Sequence, residues 1–396
     1  MARTSLPIAL ASAASLGAQA LMGVAMLRFF TPTAAGTFAV ISQIAFFWVT
    51  LSLAQSPLKF LADAHLPPRQ ALLSALRSSL SRWVVLLPIA YCAVWLSALP
   101  HAGTSMAWVA SLALLQLGWY LAQPWALRTA PPAAAAWARA TPPLLALVLV
   151  VALGLLWPAS EGNGLLVAAA CGYAAGSLWL ASARASTESP APAPAPVPPV
   201  QQADRRSTAL RLAHTVADAT AGTAVILLWQ RAHGTAEASY LAILLRLLGI
   251  LPALVHAAWA QVLLAQARPS RARSVWVGLG GALATAVIGL LGAALLDGPW
   301  FAPSWRGMLP YIAPLVLWQA SACVFAALSH RPFQQGQENR YSQWSIAFDV
   351  LQLLVLAAPL LLGWPLPATT HAWWLAGTCA LGLIALSGWM AGIKLK

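Results

Sequence analysis

The sequence predicts an all-α polytopic membrane protein, with about 12 transmembrane helices in two six-helix lobes, and three observations predict it. Cut at its polar gaps, the 396-residue chain yields twelve apolar stretches, each near the roughly 20 residues that a helix rising about 1.5 Å per residue needs to cross a core about 30 Å thick. Eighteen of the 22 Lys and Arg residues fall in alternate gaps and at the two ends. Cations beside helix ends resist translocation, so the rich side is the cytoplasmic one, and both termini lie there. A single proline-rich break divides the spans six and six.

Composition narrows the class further. A chain that is 60% hydrophobic and 8% charged is not an ordinary soluble domain. Its net charge of +13 is scattered over short loops. That distribution reads as topology and attraction to anionic lipid headgroups, with no nucleic-acid partner. Of the twenty Trp residues, Trp83, Trp157, Trp229, Trp300, Trp305, Trp364, Trp373 and Trp374 sit near span ends, where an amphipathic ring suits the interface.

The elements follow in order. The first span, 7–27, comes after Arg3 and carries Ser12, Ser15, Gln19 and Gly23 on one face. Ala18-Gln19-Ala20 imitates a signal-peptide cleavage site, but the apolar run continues to Leu27, so the helix is retained. Arg28 ends it on the outer side, and span two is 36–56. The inner loop 59–82 holds an interfacial helix at Arg69–Arg77. Spans three to six are 83–99, 106–126, 141–158 and 163–182. Residues 184–207, with alternating Pro and Ala from Pro190 to Pro199, form an extended cytoplasmic tether. It separates an N-lobe, 1–183, from a C-lobe, 208–396, and both lobes start on the same side, so the repeat is parallel.

The C-lobe spans are 208–228, 238–264, 275–295, 308–328, 344–363 and 371–391. Pro88, Pro252 and Pro314 are predicted kink points, each removing an intrahelical hydrogen bond. Gly278, Gly280, Gly281, Gly289 and Gly292 give the ninth span a small face for close packing. The four cysteines lie in four spans with no C-x-x-C spacing and read as small apolar residues.

Charge inside the spans marks the candidate site. Asp218, Arg246 and Asp349 lie deep in apolar sequence, at roughly 2.5–3.5 kcal/mol each on insertion scales, so each needs a partner or a wet cavity. Counting about 1.5 Å per residue puts Asp218 and Arg246 roughly 15 and 12 Å below the outer surface of one hairpin, which predicts an ion pair. That pair either holds the hairpin together or serves substrate or ion. His214 shares a helical face with Arg211 and Asp218, His256 lies deeper on span eight, and Ser342, Ser345, Asp349 and Gln352 form a polar stripe. Asp218, His214, His256 and Asp349 are therefore the candidates for ion coupling, to H+ or Na+. No paired outer carboxylates, Walker A, G-x-S-x-G or H-E-x-x-H motif is present, so no enzyme, metal or cofactor is expected.

Two segments carry a resemblance. Leu27-Arg-Phe-Phe-Thr-Pro-Thr-Ala-Ala-Gly36-Thr-Phe-Ala is similar to the span-one exit of bacterial polysaccharide exporters, and Ala217-Asp218 followed by Gly234, Ala238-Ser-Tyr240-Leu-Ala242 and Arg246 is similar to the start of their second lobe. The chain resembles the Wzx-type lipid-linked oligosaccharide flippases of the multidrug/oligosaccharidyl-lipid/polysaccharide (MOP) superfamily. The resemblance implies two six-helix lobes in a V around a central cavity, alternating access, and residence in the bacterial inner membrane. It implies a polyprenyl-pyrophosphate-linked glycan as cargo, moved from the cytoplasmic to the outer leaflet, with membrane lipids and polysaccharide-assembly proteins as partners. Arg28 and Arg246 would then meet the pyrophosphate, whose oxygens suit a forked guanidinium, and Gln19 the glycan. Rival readings are a small-solute, drug or sugar antiporter, and a membrane glycan polymerase or glycosyltransferase. The major-facilitator motif expected between spans two and three is replaced by Lys59-Phe-Leu-Ala-Asp63-Ala-His-Leu-Pro-Pro-Arg69, which lacks its glycines.

Overall fold

The computed structural model describes residues 2–54, 56–62, 66–129, 132–157, 163–182, 205–260, 263, 270–364 and 366–392. The predicted tether lies outside the described residues over 184–204. The described chain is helical, without a strand: α1 (Ala2–Phe29), α2 (Pro32–Leu53), α3 (Ser56–Ala62), α4 (Pro68–Val85), α5 (Leu87–Leu96), α6 (Ala102–Thr129), α7 (Pro132–Leu156), α8 (Gly164–Ser182), α9 (Arg205–His233), α10 (Thr235–Leu248), α11 (Ile250–Val255), α12 (Arg271–Asp297), α13 (Leu309–Leu328), α14 (Arg331–Gln334), α15 (Glu338–Leu362) and α16 (Ala368–Gly392). A π-helical turn, His256–Ala260, extends α11, and a 3₁₀ turn, Pro303–Met308, leads into α13.

Among the described residues, nine helical stretches are long and apolar enough to cross a membrane, and the bent pair α4–α5 adds a tenth. Two shorter apolar helices, Ala13–Phe29 and Gly164–Trp179, coincide with the first and sixth predicted spans. Large apolar side chains such as Val85, Leu156, Leu290 and Leu361 stand exposed on these helices. In water such a surface would aggregate; in lipid it is the solvated face. The protein is a multi-pass, all-α membrane protein.

Two predicted spans differ in detail. The third is not one helix from 83 but a pair bent by 47°. Its helix begins at Pro68 and breaks at Leu86, and Pro88 sits in the first turn of α5, where its missing N–H costs nothing. The interfacial helix expected at Arg69–Arg77 is simply the start of α4. The eighth span breaks at Gly249, between α10 and α11, with Pro252 in the first turn of the second piece. Pro314, by contrast, is carried inside the continuous helix α13.

The chain forms two compact units: residues 1–25 with 41–208, and residues 26–40 with 209–396. In the first unit, Trp48 is 1% exposed, stacks on Trp83 at 4.3 Å and donates its indole N–H to the Trp83 carbonyl at 2.9 Å. Next to it, Arg82 donates to the carbonyls of Ser52 at 2.7 Å and Leu53 at 3.1 Å, and to Ser56 Oγ. These are carbonyls that the end of α2 leaves without intrahelical partners. Arg128 treats the next connection similarly, donating to the carbonyls of Phe60 and Leu66 while its guanidinium lies 4.9 Å from the Phe60 ring centre. Arginines whose spacing reads only as a topology signal are thus also helix caps.

In the second unit, glycines seat α12 against α13. A Cβ at Gly278 would come within 2.8 Å of Val324 Cα, and one at Gly289 would overlap the Val316 side chain. Gly281 faces Cys323, whereas Gly280 and Gly292 face open space, so three of the five predicted packing glycines make the contact. Several contacts tie residues 26–40 to this unit. Trp305, fully buried, donates to the Phe30 carbonyl at 3.0 Å. Arg28 donates to the Trp300 carbonyl at 3.4 Å. Gly36 lies so close to the Thr235 carbonyl that any Cβ would overlap it.

Candidate functional site

The second unit gathers ionisable groups on facing stretches of α9 and α15. On α15, Ser342, Ser345, Asp349 and Gln352 are all buried and recur at the spacing of one helical face. Asp349 is 6% exposed, and its Oδ2 has no hydrogen-bond partner among the described residues. A buried carboxylate oxygen left without a partner is costly, so such an atom points to a bound proton, cation or water. Across from it, Asp218 lies within electrostatic range of Asp349, of His214 one turn back on α9, and of Tyr341. The His214 ring meets Tyr341 edge-on at 5.6 Å. Phe325 and Phe333 contact the same phenol, at 6.2 and 5.4 Å between ring centres. Two carboxylates and an imidazole near an aromatic floor can hold a proton. No group of three or more metal-ligating side chains converges among the described residues.

Of the four predicted ion-coupling residues, Asp218 therefore lies within electrostatic range of two, His214 and Asp349. His256 does not join them. It opens the π-helical turn, with Nδ1 3.2 Å from Ser329 Oγ.

Arg246 has different surroundings from those predicted. Half-buried near the end of α10, its guanidinium lies 5.7 Å from the Phe38 ring centre and 4.0 Å from Met26 Sδ. Asp218 thus faces α15, whereas Arg246 faces the 26–40 segment. Equal depth does not fix which way a side chain points around its helix. Arg28, exposed, borders the same segment, held by Trp300. Gln19 belongs to the first unit, exposed on α1, with its amide 3.5 Å from Ser15 Oγ.

A strip in the first unit escapes the sequence analysis. Gln116, Trp119 and Gln123 recur on one face of α6 and meet α8, where Tyr173 packs edge-on against Trp119 at 5.5 Å. Gln116 is 3% exposed. Gln116 Oε1, Trp119 Nε1, Gln123 Nε2 and Ser177 Oγ are buried, each without a hydrogen-bond partner among the described residues. The signal was a polar i, i+3, i+7 recurrence in an otherwise apolar span. The strip offers neutral donors and acceptors beside aromatic rings, a pairing that suits hydroxyl-bearing ligands.

No protein-family model matches the chain, and no curated protein matches it. Solved structures do. The lipid II flippase MurJ, in an inward closed conformation, superposes with a TM-score of 0.67 over 96% of this chain and 86% of its own, at 9% identity. An inward-facing multidrug resistance MATE family transporter of the MOP superfamily gives 0.60, over 95% and 93%, at 11% identity. A MOP superfamily transporter from Pyrococcus furiosus gives 0.53, over 98% and 94%, at 12% identity. Along nearly its whole length, this chain has the fold of the MOP-superfamily transporters.

Proposed function

We propose that the protein is a flippase that moves a polyprenyl-pyrophosphate-linked oligosaccharide from the cytoplasmic to the outer leaflet of the bacterial inner membrane, for surface polysaccharide assembly. The lobes 1–183 and 208–396, joined by the cytoplasmic tether 184–207, alternate access to the cargo. One observation carries the reading: the two units divide the chemistry that such a cargo needs. The first presents neutral hydrogen-bonding groups beside aromatic rings, suited to sugar hydroxyls. The second presents Arg28 and Arg246, suited to pyrophosphate, and the Asp218, His214 and Asp349 cluster, suited to a driving H+ or Na+. Gln19 adds an amide for the glycan. The likeness in fold to a lipid II flippase supports the same reading, since that protein's cargo is also a lipid.

The test is reconstitution into vesicles with a fluorescent polyprenyl-pyrophosphate disaccharide, followed by an impermeant quencher that reports leaflet exchange. Protein-dependent exchange is expected, with loss in Arg246→Ala and Asp218→Ala variants that still insert and elute as folded protein. Normal exchange in both variants would overturn the site. The fold is also that of multidrug transporters, which favours a small-solute antiporter as the second reading. Gradient-driven uptake of a cationic dye, with no exchange of the lipid, would establish that reading instead.

A further inference from the structure

A second ionisable centre lies at the other end of α9. His233, in the last turn of α9, places Nε2 2.8 Å from Nδ1 of His371, in the first turn of α16. His371 is 0% exposed. Its other nitrogen, Nε2, lies 3.1 Å from the Val355 carbonyl of α15. Trp229, also fully buried, stacks on His371 with ring centres 4.7 Å apart and planes 18° apart. From Asp218 to His233 is fifteen residues along one helix, roughly 22 Å at 1.5 Å per residue, so this pair is separate from the carboxylate cluster.

The hydrogen bonds fix the tautomers. A carbonyl only accepts, so His371 Nε2 carries a proton. In the neutral pair, His371 Nδ1 is then a lone pair and His233 Nε2–H donates to it. His233 Nδ1 is left as the basic nitrogen. One added proton there makes the internal bond charge-assisted and shorter. A second would set two N–H donors against each other at 2.8 Å and force the rings apart. The geometry therefore accommodates one proton and resists two. The other ionisable groups around the pair are Glu237 and Tyr311, which hydrogen-bond to each other, Tyr240, which donates to the Ser304 carbonyl, and Arg231 on the same turn of α9.

We propose that the His233–His371 dyad is a proton-binding site that takes a single proton into the second unit. Its occupancy sets how tightly the end of α9 is tied to α15 and α16. The inference goes beyond the flippase reading and does not depend on the cargo.

Trp229 supplies the readout: the His233 ring, which gains the proton, lies 4.7 Å from it between ring centres, and an imidazolium that close to an indole quenches its emission far more than a neutral imidazole does. Full-length protein in lipid nanodiscs is titrated from pH 8 to pH 4 beside the Trp229→Phe variant, and the difference between the two isolates Trp229. The difference signal is expected to fall severalfold in a single one-proton step. The step should vanish in His233→Gln, which removes the nitrogen that takes the proton. Should that variant fail to elute as folded protein, His371→Gln, which removes the Nδ1 acceptor, replaces it, and the step should then move to a different pH. A flat difference signal in the unaltered protein overturns the proposal, and so does a step that survives unchanged in the folded glutamine variant. Both results leave the vesicle exchange assay untouched, so this reading and the flippase reading fail separately.

Discussion

Set side by side, the two units differ less in architecture than in what they bury. Among the described residues, the buried carboxylate, imidazole and guanidinium side chains (Asp349, His330, His371 and Arg331) all belong to the second unit. Asp63, Glu161, Glu188 and Asp204 lie outside the described residues. The described interior of the first unit relies instead on amides, hydroxyls and indoles, with arginines turned to helix-end carbonyls. Among the described residues, the buried side chains that carry charge or an imidazole therefore lie in the second unit, while the first buries neutral polar groups. The contrast teaches where a driving ion and a neutral cargo headgroup would each be met.

The sharpest way to break that contrast is to neutralise the ionisable side. Asp349→Ala is expected to abolish gradient-driven exchange in vesicles, while Gln116→Ala lowers it only partly and leaves its gradient dependence intact. Equal losses, with gradient dependence lost in both, would erase the distinction. Next in size is Gly36→Ala. Its new methyl must displace the backbone at Thr235, at about 1–3 kcal/mol for overpacking, read as a lower midpoint of thermal unfolding in detergent. Arg82→Ala should cost about 1.5–3 kcal/mol, the worth of hydrogen bonds to a charged group, because it strips the Ser52 and Leu53 carbonyls. Arg28→Ala, which removes one 3.4 Å contact from an exposed side chain, should fall within about 0.5 kcal/mol of the parent. Gln116→Leu is expected to move the two properties in opposite directions. Removing a buried, unpartnered acceptor should stabilise the fold by about 1 kcal/mol while weakening exchange of the glycan lipid. A stabilised protein with undiminished exchange would make the strip a packing defect.

The spans were legible because bilayer thickness and helix rise leave little freedom: apolar length alone locates α2, α6 and α9. The α15 stripe was legible for the same geometric reason, since Ser342, Ser345, Asp349 and Gln352 share a face whatever packs against it. Azimuth was not legible. Depth placed Asp218 level with Arg246, but depth is a coordinate along the axis, and the two side chains turn toward α15 and toward Phe38. Long-range pairing was equally hidden. His233 and His371 lie 138 residues apart, and nothing in their spacing announces a hydrogen bond. The arginines carried two messages at once, and the sequence displays only the topological one.

The placement of residues 26–40 has a consequence for how the chain is made. Phe30 offers its carbonyl to Trp305, 275 residues downstream, and Arg28 reaches Trp300, 272 residues downstream. At about 5–20 residues per second, this turn waits on the order of tens of seconds for its partners. The nascent hairpin is a bookmark, held open until the last third of the protein has been synthesised. Two halves expressed from separate messages, cut between residues 183 and 205, would leave the later half without its buttress, so their recovery should depend on the earlier half already residing in the same bilayer.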